Sequence, residues 1–320
     1  MGCGEMSVTQ KQKVDYASAV IGILVDVLVD KQNGMPDVVW HYTPYETLLK
    51  ILESKSLWAT HVSCLNDASE VRHLFDLLFE QLHGREVDPQ SSPLFEYLKS
   101  LGGKDYGGSS EWFVTSFCTE SDALNLWRAY AGADGGVAIG FETKEVVGRA
   151  WKDESRGGHQ GFPETYVLPV AYRAAKKNEL VQKLLSETER LFKAGLEGQD
   201  HKTWAEEFWT AWEDQIAAIA PLVKHEAFES EKEWRLITKP HASQQNSLKF
   251  LARRTTITRH LPLQLRPIAD ADPAMLPIVE IKIGPGEHQK LTKVNVKELL
   301  RSKGYIDVRV TRSKIPFRLL

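Results

Sequence analysis

The apolar positions of the chain follow two different periods, and stretches of each kind alternate along it. Eight short runs are rich in β-branched and aromatic residues, which is typical of strands. These runs cover residues 38–42, 57–60, 112–118, 135–142, 166–172, 231–237, 278–283 and 306–310. The pattern therefore predicts a sheet of short strands spread over most of the chain.

Between the strands, apolar residues three and four positions apart predict helices. Residues 18–29 form one amphipathic segment, and residues 174–220 form a much longer helical stretch. Aromatic residues at helical spacing are more often core than part of a cofactor site. The long stretch carries four of them, Trp204, Phe208, Trp209 and Trp212.

The order of these elements shows no regular alternation of strand and helix, which favours an α+β fold with a mixed or mostly antiparallel sheet. We expect the sheet to be split by a helical insertion at about 174–222. Residues 1–36 are predicted to be an N-terminal helical extension, and residues 37–320 the main domain. Its last part, from about 243 to 320, is basic.

The first predicted strand ends in His41 and Tyr42. Thr43 and Glu46 have the spacing of a capping box, and Pro44 suits the first position of a helix. We therefore expect His41 and Tyr42 to point into a cleft at the end of the strand. A single histidine more often has a purely structural role, and that alternative stays open here.

The predicted strand at 231–237 opens with charged residues. Because side chains alternate between faces along a strand, Glu231, Glu233 and Arg235 are expected on one face, and Trp234 and Leu236 on the other. The charged face is compatible with a solvated edge or with a site that holds two carboxylates and a guanidinium group.

The composition is that of a globular protein, with 42% hydrophobic and 26% charged residues among 320. The three cysteines are widely spaced, and no Cys-x-x-Cys or His-x-x-x-His pair occurs, so no metal site is predicted. The apolar segment 18–29 is too short to span a bilayer and lacks the flanks of a signal peptide. We therefore expect a cytoplasmic protein without a membrane span.

The charge is unevenly distributed along the chain. Residues 243–320 carry a net charge of +9, whereas the remainder carries −12 and the whole chain −3. The basic segment is expected to meet either a polyanion or the acidic part of its own chain. Arg253, Arg254 and Arg259 are the residues that we expect to contact DNA or RNA.

Several motifs occur in a characteristic order. They are His41-Tyr-Thr, Leu65-Asn-Asp-x-x-Glu70, Thr115-Ser-Phe-Cys118, Leu126-Trp-x-x-Tyr130, Gly136-Val-Ala-Ile-Gly-Phe141, Glu231-x-Glu-Trp-Arg-Leu236 and Ile283-Gly-Pro285. Together they resemble the bacterial domain-of-unknown-function family 2971 over residues 38–285. That family is similar to the ADP-ribosyltransferase superfamily, which includes the DarT-type toxins that modify DNA.

The resemblance implies an ADP-ribosyltransferase-like split sheet with NAD as substrate. It implies that His41 binds the ribose next to nicotinamide, and that Ser116 supports the NAD-binding surface. Glu233 would bind a ribose hydroxyl and stabilise the positive charge that forms as nicotinamide departs. The remaining residues expected at the site are Glu231 as the base for the acceptor, with Tyr42, Thr43 and Tyr130 around the cofactor.

The chain also departs from the superfamily pattern, because a histidine on the first strand usually accompanies a tyrosine in the middle, where this chain has Ser116. We expect an NAD-dependent ADP-ribosyltransferase that acts as a toxin or antiviral defence effector, with nucleic acid preferred to protein as acceptor and with a regulatory or antitoxin partner. One alternative is a catalytically inactive module that senses a nucleotide or binds a protein. Another is a metal-dependent nuclease that uses Glu231, Glu233 and His225.

Overall fold

The computed structural model describes residues 19–29, 34–65, 70–86, 88–100, 111–132, 135–151, 165–196, 200–240, 247–252, 255–263, 265 and 275–316. Its strands are β1 (Val38–Pro44), β2 (Leu57–His61), β3 (Phe113–Cys118), β4 (Gly136–Glu142), β5 (Thr165–Pro169), β6 (Glu233–Thr238), β7 (Lys249–Ala252), β8 (Ile257–Leu263), β9 (Ile278–Ile283) and β10 (Arg309–Arg312). Its α-helices are α1 (19–28), α2 (Tyr45–Ser54), α3 (Glu70–His83), α4 (Ser92–Ser100), α5 (Leu124–Tyr130), α6 (Thr143–Trp151), α7 (Ala174–Ala194), α8 (His201–Ile219) and α9 (Gln289–Ser302).

The strands form one sheet in the order β10-β9-β4-β1-β3-β2-β8-β7, with β6 attached to β3 and β5 attached to β6. Neighbouring strands are antiparallel except for β9 and β10, which are parallel. The predicted α+β class with a mixed sheet is therefore confirmed. Helices α7 and α8 lie in the chain between β5 and β6, which are themselves paired.

The sheet opens between β1 and β3, where the candidate site lies. Along one edge β3 pairs with β6 over its whole length. Along the other edge it meets β1 only at the pair Trp40–Cys118, and it meets β2 at its opposite end. β1 and β3 are thus joined by one residue pair in this ladder, and side chains occupy the space beside it.

The predicted capping box at Thr43 is wrong. β1 pairs with β4 through Pro44, which lies opposite Gly136, so the strand continues two residues further than expected. The helix begins only at Tyr45, with Pro44 as its cap and no side-chain cap. The ladder to β4 satisfies the end of β1, so Thr43 remains in the strand and does not cap the helix.

The predicted start of the strand at Glu231 is also wrong. Residues Glu226–Glu231 form a 3-10 helix, and β6 begins at Glu233. Lys232 between them has a φ of 46°, in the left-handed region, and this residue turns the chain from the helix into the strand. Glu231 therefore does not share a strand face with Glu233.

Of the three apolar clusters in the described part of the chain, the two largest cover the two faces of the sheet. One includes buried residues of α1, α3, α4, α7 and α8 together with Val114 of β3 and Ile237 of β6. The other includes α2, α9 and the opposite faces of these strands, such as Phe117 and Leu236. The four predicted core aromatics of α8 are all buried in the first core.

Helix α1 is part of the first core. It contributes Val20, Leu24, Val27 and Leu28, all buried. The helix of the predicted N-terminal extension therefore shares a core with helices of the predicted main domain. No helix in the described ranges is both long enough and apolar enough to cross a membrane.

Candidate functional site

A cavity of about 70 Å³ lies where β1 and β3 separate. Six of the residues predicted for the site line it together, although they come from distant parts of the chain. The lining consists of Trp40, His41, Tyr42, Ser116, Phe117, Cys118, Leu126, Tyr130, Glu231 and Glu233. Thr43, the seventh residue predicted for the site, is buried and is not among these described lining residues.

His41 bridges the opening between the strands. Its Nδ1 lies 2.9 Å from the main-chain oxygen of Ser116, and because a carbonyl only accepts, Nδ1 carries the proton. The imidazole therefore replaces a ladder hydrogen bond where the backbones have parted. Burial lowers the pKa of His41, and the hydrogen bond to Ser116 only partly opposes this, so the ring is neutral at pH 7.

Tyr42 holds the rim of the cavity through its hydroxyl group. The hydroxyl donates to the main-chain oxygen of Glu120 at 2.9 Å and accepts the N–H of Ala123 at 3.0 Å. Its ring packs edge-on against Trp127 at 4.5 Å between centroids. Both contacts fix the segment between β3 and α5, while another part of Tyr42 lines the cavity.

Ser116 and Cys118 lie on β3, two residues apart on the same face. The contact between Ser116 and His41 uses the main chain of Ser116, so its side chain remains a lining group. The Cys118 thiol donates to the main-chain oxygen of Glu120 at 3.2 Å. Burial raises the pKa of Cys118 to about 12, so it stays a neutral thiol rather than a nucleophile.

Glu231 and Glu233 form the acidic wall of the cavity, held together by Lys224. The Lys224 Nζ lies 2.7 Å from Oε2 of Glu231 and 2.8 Å from Oε1 of Glu233. Tyr130 donates its hydroxyl to Oε1 of Glu231 at 3.0 Å. Arg235 donates its Nε to Oε2 of Glu233 at 2.5 Å. Both carboxylates are thus fixed by charged or polar partners.

The cations are as deeply buried as the carboxylates. Lys224 is 4% exposed and Arg235 is 2% exposed. Arg235 also donates to the main-chain oxygen of Pro221 at 2.5 Å. Two acids and two bases form a cluster without net charge, which limits the cost of removing these charges from water.

The two carboxyl groups have opposite pKa shifts. For Glu231, burial is the largest influence, and together with the hydrogen bond to Glu233 it raises the pKa. For Glu233, burial acts in the same sense, but the charge of Arg235 and the contacts with Glu231 and Lys224 outweigh it and lower the pKa. Glu233 therefore keeps its negative charge, and Glu231 is the group that more readily takes a proton.

Sequence reasoning found Glu231, Glu233 and Arg235 but missed Lys224. The lysine follows the apolar run 216–223, and a charged residue directly after a fully buried segment was the one signal available. Its charge partners lie seven and nine residues further along the chain, beyond a 3-10 helix. No helix or strand period connects those positions.

Arg259, predicted to contact nucleic acid, lies away from the cavity. Its guanidinium group is 2.9 Å from Nε2 of His61 and 3.7 Å from a carboxylate oxygen of Glu111. These partners adjoin the Phe113 end of β3, whereas the cavity lies at the Cys118 end. Arg253 and Arg254 lie outside the described residues.

The metal-dependent alternative gains no support in the described part of the chain. No group of three His, Cys, Asp or Glu side chains there could hold a metal ion. The predicted third ligand, His225, instead caps the 3-10 helix, where its Nδ1 accepts the N–H of Ala227 at 3.2 Å.

Comparison with known proteins gives a family match to part of the chain. The sequence model of a family described as "Protein of unknown function (DUF2971)" matches residues 126–236, from α5 to β6. The matched segment contains Tyr130, Lys224, Glu231 and Glu233, but it does not reach His41 or Ser116. No curated protein and no solved structure was found to match the chain. Over residues 126–236 the chain is similar to this family, which supports the resemblance inferred from its motifs.

Proposed function

We propose that the chain is an NAD-dependent ADP-ribosyltransferase whose reacting centre is the cavity between β1 and β3. The observation that carries the proposal is the acidic pair in its wall, in which one carboxyl group is held ionised and the other has a raised pKa. A fixed negative charge and a proton acceptor are the two groups that this transfer needs.

In the proposed reaction the glycosidic bond between ribose C1′ and the nicotinamide nitrogen breaks, and its electron pair leaves with neutral nicotinamide. The positive charge that develops on the ribose is stabilised by Glu233. A nucleophilic oxygen or nitrogen of the acceptor then bonds to C1′. Its proton passes to Glu231.

The neutral imidazole of His41 is suited to the ribose hydroxyl groups. Its Nδ1 is occupied by Ser116, and its Nε2 has no partner among the described residues, so it is available as an acceptor. The cavity of about 70 Å³ is much smaller than the roughly 300–1,000 Å³ of pockets that enclose a drug-sized ligand. We therefore assign only the reacting end of NAD to it.

The test is incubation of the purified protein with NAD labelled in the ADP-ribose part, with DNA, RNA and protein offered as acceptors. Nicotinamide release and label transfer are both measured. Glu233→Asp keeps the negative charge but withdraws it by one methylene, and we expect turnover to fall at least about a hundredfold. Full activity in a folded Glu233→Asp protein would show that Glu233 does not have the role proposed for it in the reaction.

Glu229→Gln is the matched control. Glu229 lies in the same 3-10 helix and pairs with Arg173, but both side chains are largely exposed. Exposed ion pairs contribute little to stability. Turnover by Glu229→Gln should equal that of the unaltered protein.

A catalytically inactive nucleotide-binding module is the second candidate. It is favoured by the saturation of Glu233, whose two carboxylate oxygens already accept from Lys224 and Arg235. Binding of NAD or ADP-ribose in a calorimeter, without nicotinamide release under any acceptor condition, would favour this candidate over the enzyme.

The acceptor is proposed on charge alone. Nucleic acid remains the first candidate because of the basic segment 243–320, although Arg259 has internal partners. The triple variant Arg253→Ser, Arg254→Ser, Arg259→Ser tests it in a salt series. Phosphate contacts would make DNA or RNA affinity fall steeply with salt, and loss of these arginines would flatten that dependence. An unchanged salt dependence would leave a protein or a small molecule as the acceptor.

A further inference from the structure

We propose that Lys224 is the positioning residue of this site, which holds both carboxylates against the cavity through a salt bridge to each. The inference rests on the proposed function for its kinetic consequences, but not for its effect on the two carboxyl groups. Lys224 would act through Glu231 and Glu233 and would not touch the substrate.

The geometry places Lys224 behind the acidic wall. Its Nζ contacts one oxygen of each carboxylate, whereas both glutamates line the cavity and Lys224 is not among the described lining residues. The ammonium group therefore pulls the two carboxylates together from the protein side. The exposed parts of both carboxylates face the cavity between β1 and β3.

The protein fixes Lys224 at several points along its length. Its main-chain N–H donates to Ala171 at 3.1 Å, and its main-chain oxygen lies 3.4 Å from the Nζ of Lys177. Its own ammonium group lies 4.4 Å from the centre of the Phe228 ring. A long side chain that is held in this way loses its usual rotamer freedom, and its charge becomes a fixed feature of the site.

The two carboxylates that Lys224 contacts differ in their other charged partners. Glu233 has Arg235 as a second cation, whereas the other partner of Glu231 is the neutral hydroxyl of Tyr130. The other titratable groups that line the cavity or lie near the pair are Cys118, Tyr172, His41 and Tyr42, and burial favours the neutral form of each. Lys224 is therefore the one cation in contact with Glu231 among the described residues.

Removal of this cation has a defined consequence. Two carboxylates close together resist simultaneous ionisation, and Glu233 would keep its charge through Arg235. Glu231 would then hold a proton to higher pH. As the acceptor base must be deprotonated, the acid limb of the pH–rate profile would move to higher pH.

The first experiment uses the unaltered protein, labelled with ¹³C at the glutamate carboxyl carbons. The two site signals are assigned with Glu231→Gln and Glu233→Asp. We expect one to titrate below and the other above the usual range of glutamate. If the Glu233 signal titrated in that usual range, Glu233 would not be held by its salt bridges to Lys224 and Arg235, and the proposal would be overturned without any variant of Lys224.

The second experiment compares Lys224→Met with Lys224→Arg, which restores the charge. Lys239→Met is the control, since it removes a lysine that is paired with Asp214 outside the cavity. In Lys224→Met the Glu231 titration and the acid limb of NAD turnover should both rise by about one pH unit or more. Lys224→Arg should return both towards their original positions, and Lys239→Met should leave them unchanged.

The two readouts separate this inference from the proposed function. If the unaltered protein released no nicotinamide, the proposed function would fail, but the carboxyl titrations would still test Lys224. If Lys224→Met folded and left the pH of the Glu231 titration unchanged, the positioning role of Lys224 would be refuted even with NAD turnover intact. Should Lys224→Met not fold, Lys224→Gln, which retains a hydrogen-bond donor without the charge, takes its place in the same comparison.

Discussion

At the scale of single residues, His41 has two separable tasks. Its Nδ1–H joins β1 to β3 through Ser116, while Nε2 is the nitrogen proposed for the ribose. The amide nitrogen of asparagine reaches the position of Nδ1 in histidine, and that of glutamine reaches the position of Nε2. The two replacements therefore separate the strand contact from the cavity contact.

We predict that His41→Asn retains most of the stability and loses NAD affinity, because it keeps a donor for Ser116. His41→Ala should lose both, with a stability cost of about 1–3 kcal/mol from the unpaired buried carbonyl. Thermal unfolding and NAD calorimetry on the same samples make the comparison. Intact NAD affinity in His41→Asn would restrict His41 to its structural role.

The two glutamates give opposite predictions for stability. Glu233→Gln should lower the free energy of unfolding at pH 7 by about 3–5 kcal/mol, because it leaves Lys224 and Arg235 buried without their shared anion. Glu231→Gln removes a group whose charge the site disfavours, so it should cost little. Urea unfolding of both variants at pH 7 gives the comparison, and equal losses would contradict it.

The pH dependence follows from the direction of the Glu233 shift. A lowered folded-state pKa stabilises the fold above the unfolded pKa, and this stabilisation is lost as the pH falls through the folded pKa. The deficit of Glu233→Gln against the unaltered protein should therefore be full near neutrality and shrink below about pH 4.5. A deficit that stayed constant into strong acid would show that Glu233 is not held ionised.

At the scale of elements, the turn at Lys232 positions Glu231. The left-handed conformation costs a residue with a side chain about 1–2 kcal/mol, and it is least accessible to β-branched residues. We predict that Lys232→Gly is tolerated, since its exposed ion pair with Glu120 contributes little. Lys232→Val should lower both the unfolding temperature and NAD turnover. Equal behaviour of the two variants would show that the turn does not position Glu231.

Eight of the ten described strands overlap runs that the sequence predicted, because their alternation is local, whereas β7 and β8 were missed. The prediction also failed where distant pairing or an unusual backbone angle determines the structure. The alternating faces of β3 were predictable from Phe113 to Cys118. The extension of β1 to Pro44 depends on β4, which comes about ninety residues later in the chain. A lysine with positive φ at position 232 carries no sequence signal. Glu231 was therefore predicted beside Glu233 on one strand face, whereas the turn at Lys232 is what places it beside Glu233.

The convergence of the site residues was predictable only through resemblance. His41, Ser116 and Glu233 are each unremarkable in composition and spacing, and it is the motif order that connects them. Lys224 lies within the segment that matches the family model, but it stands outside the motifs that were compared. Buried charges in irregular segments have no periodic pattern from which to infer their partners.

At the scale of the whole molecule, α1 belongs to the core. Leu24 is fully buried and Val25, beside it on the helix, is 47% exposed. We predict that Leu24→Ala lowers the free energy of unfolding by about 2–5 kcal/mol, whereas Val25→Ala changes it by less than about 0.5 kcal/mol. Denaturant unfolding followed by two probes should show one shared transition. An early, separate transition for α1 would support a detachable extension.

The strand order has a consequence for the chain as it is synthesised. β2 pairs with β8, and Thr60 hydrogen-bonds His260 across 200 positions of sequence. Contacts at such separation make folding slow, because a long loop must close, at a cost in entropy, before the contacts can form. The acidic wall of the cavity likewise forms only after residue 233 has left the ribosome, because Glu233 lies on β6, which pairs with β3. A nascent chain therefore carries no assembled site until most of its residues have been translated.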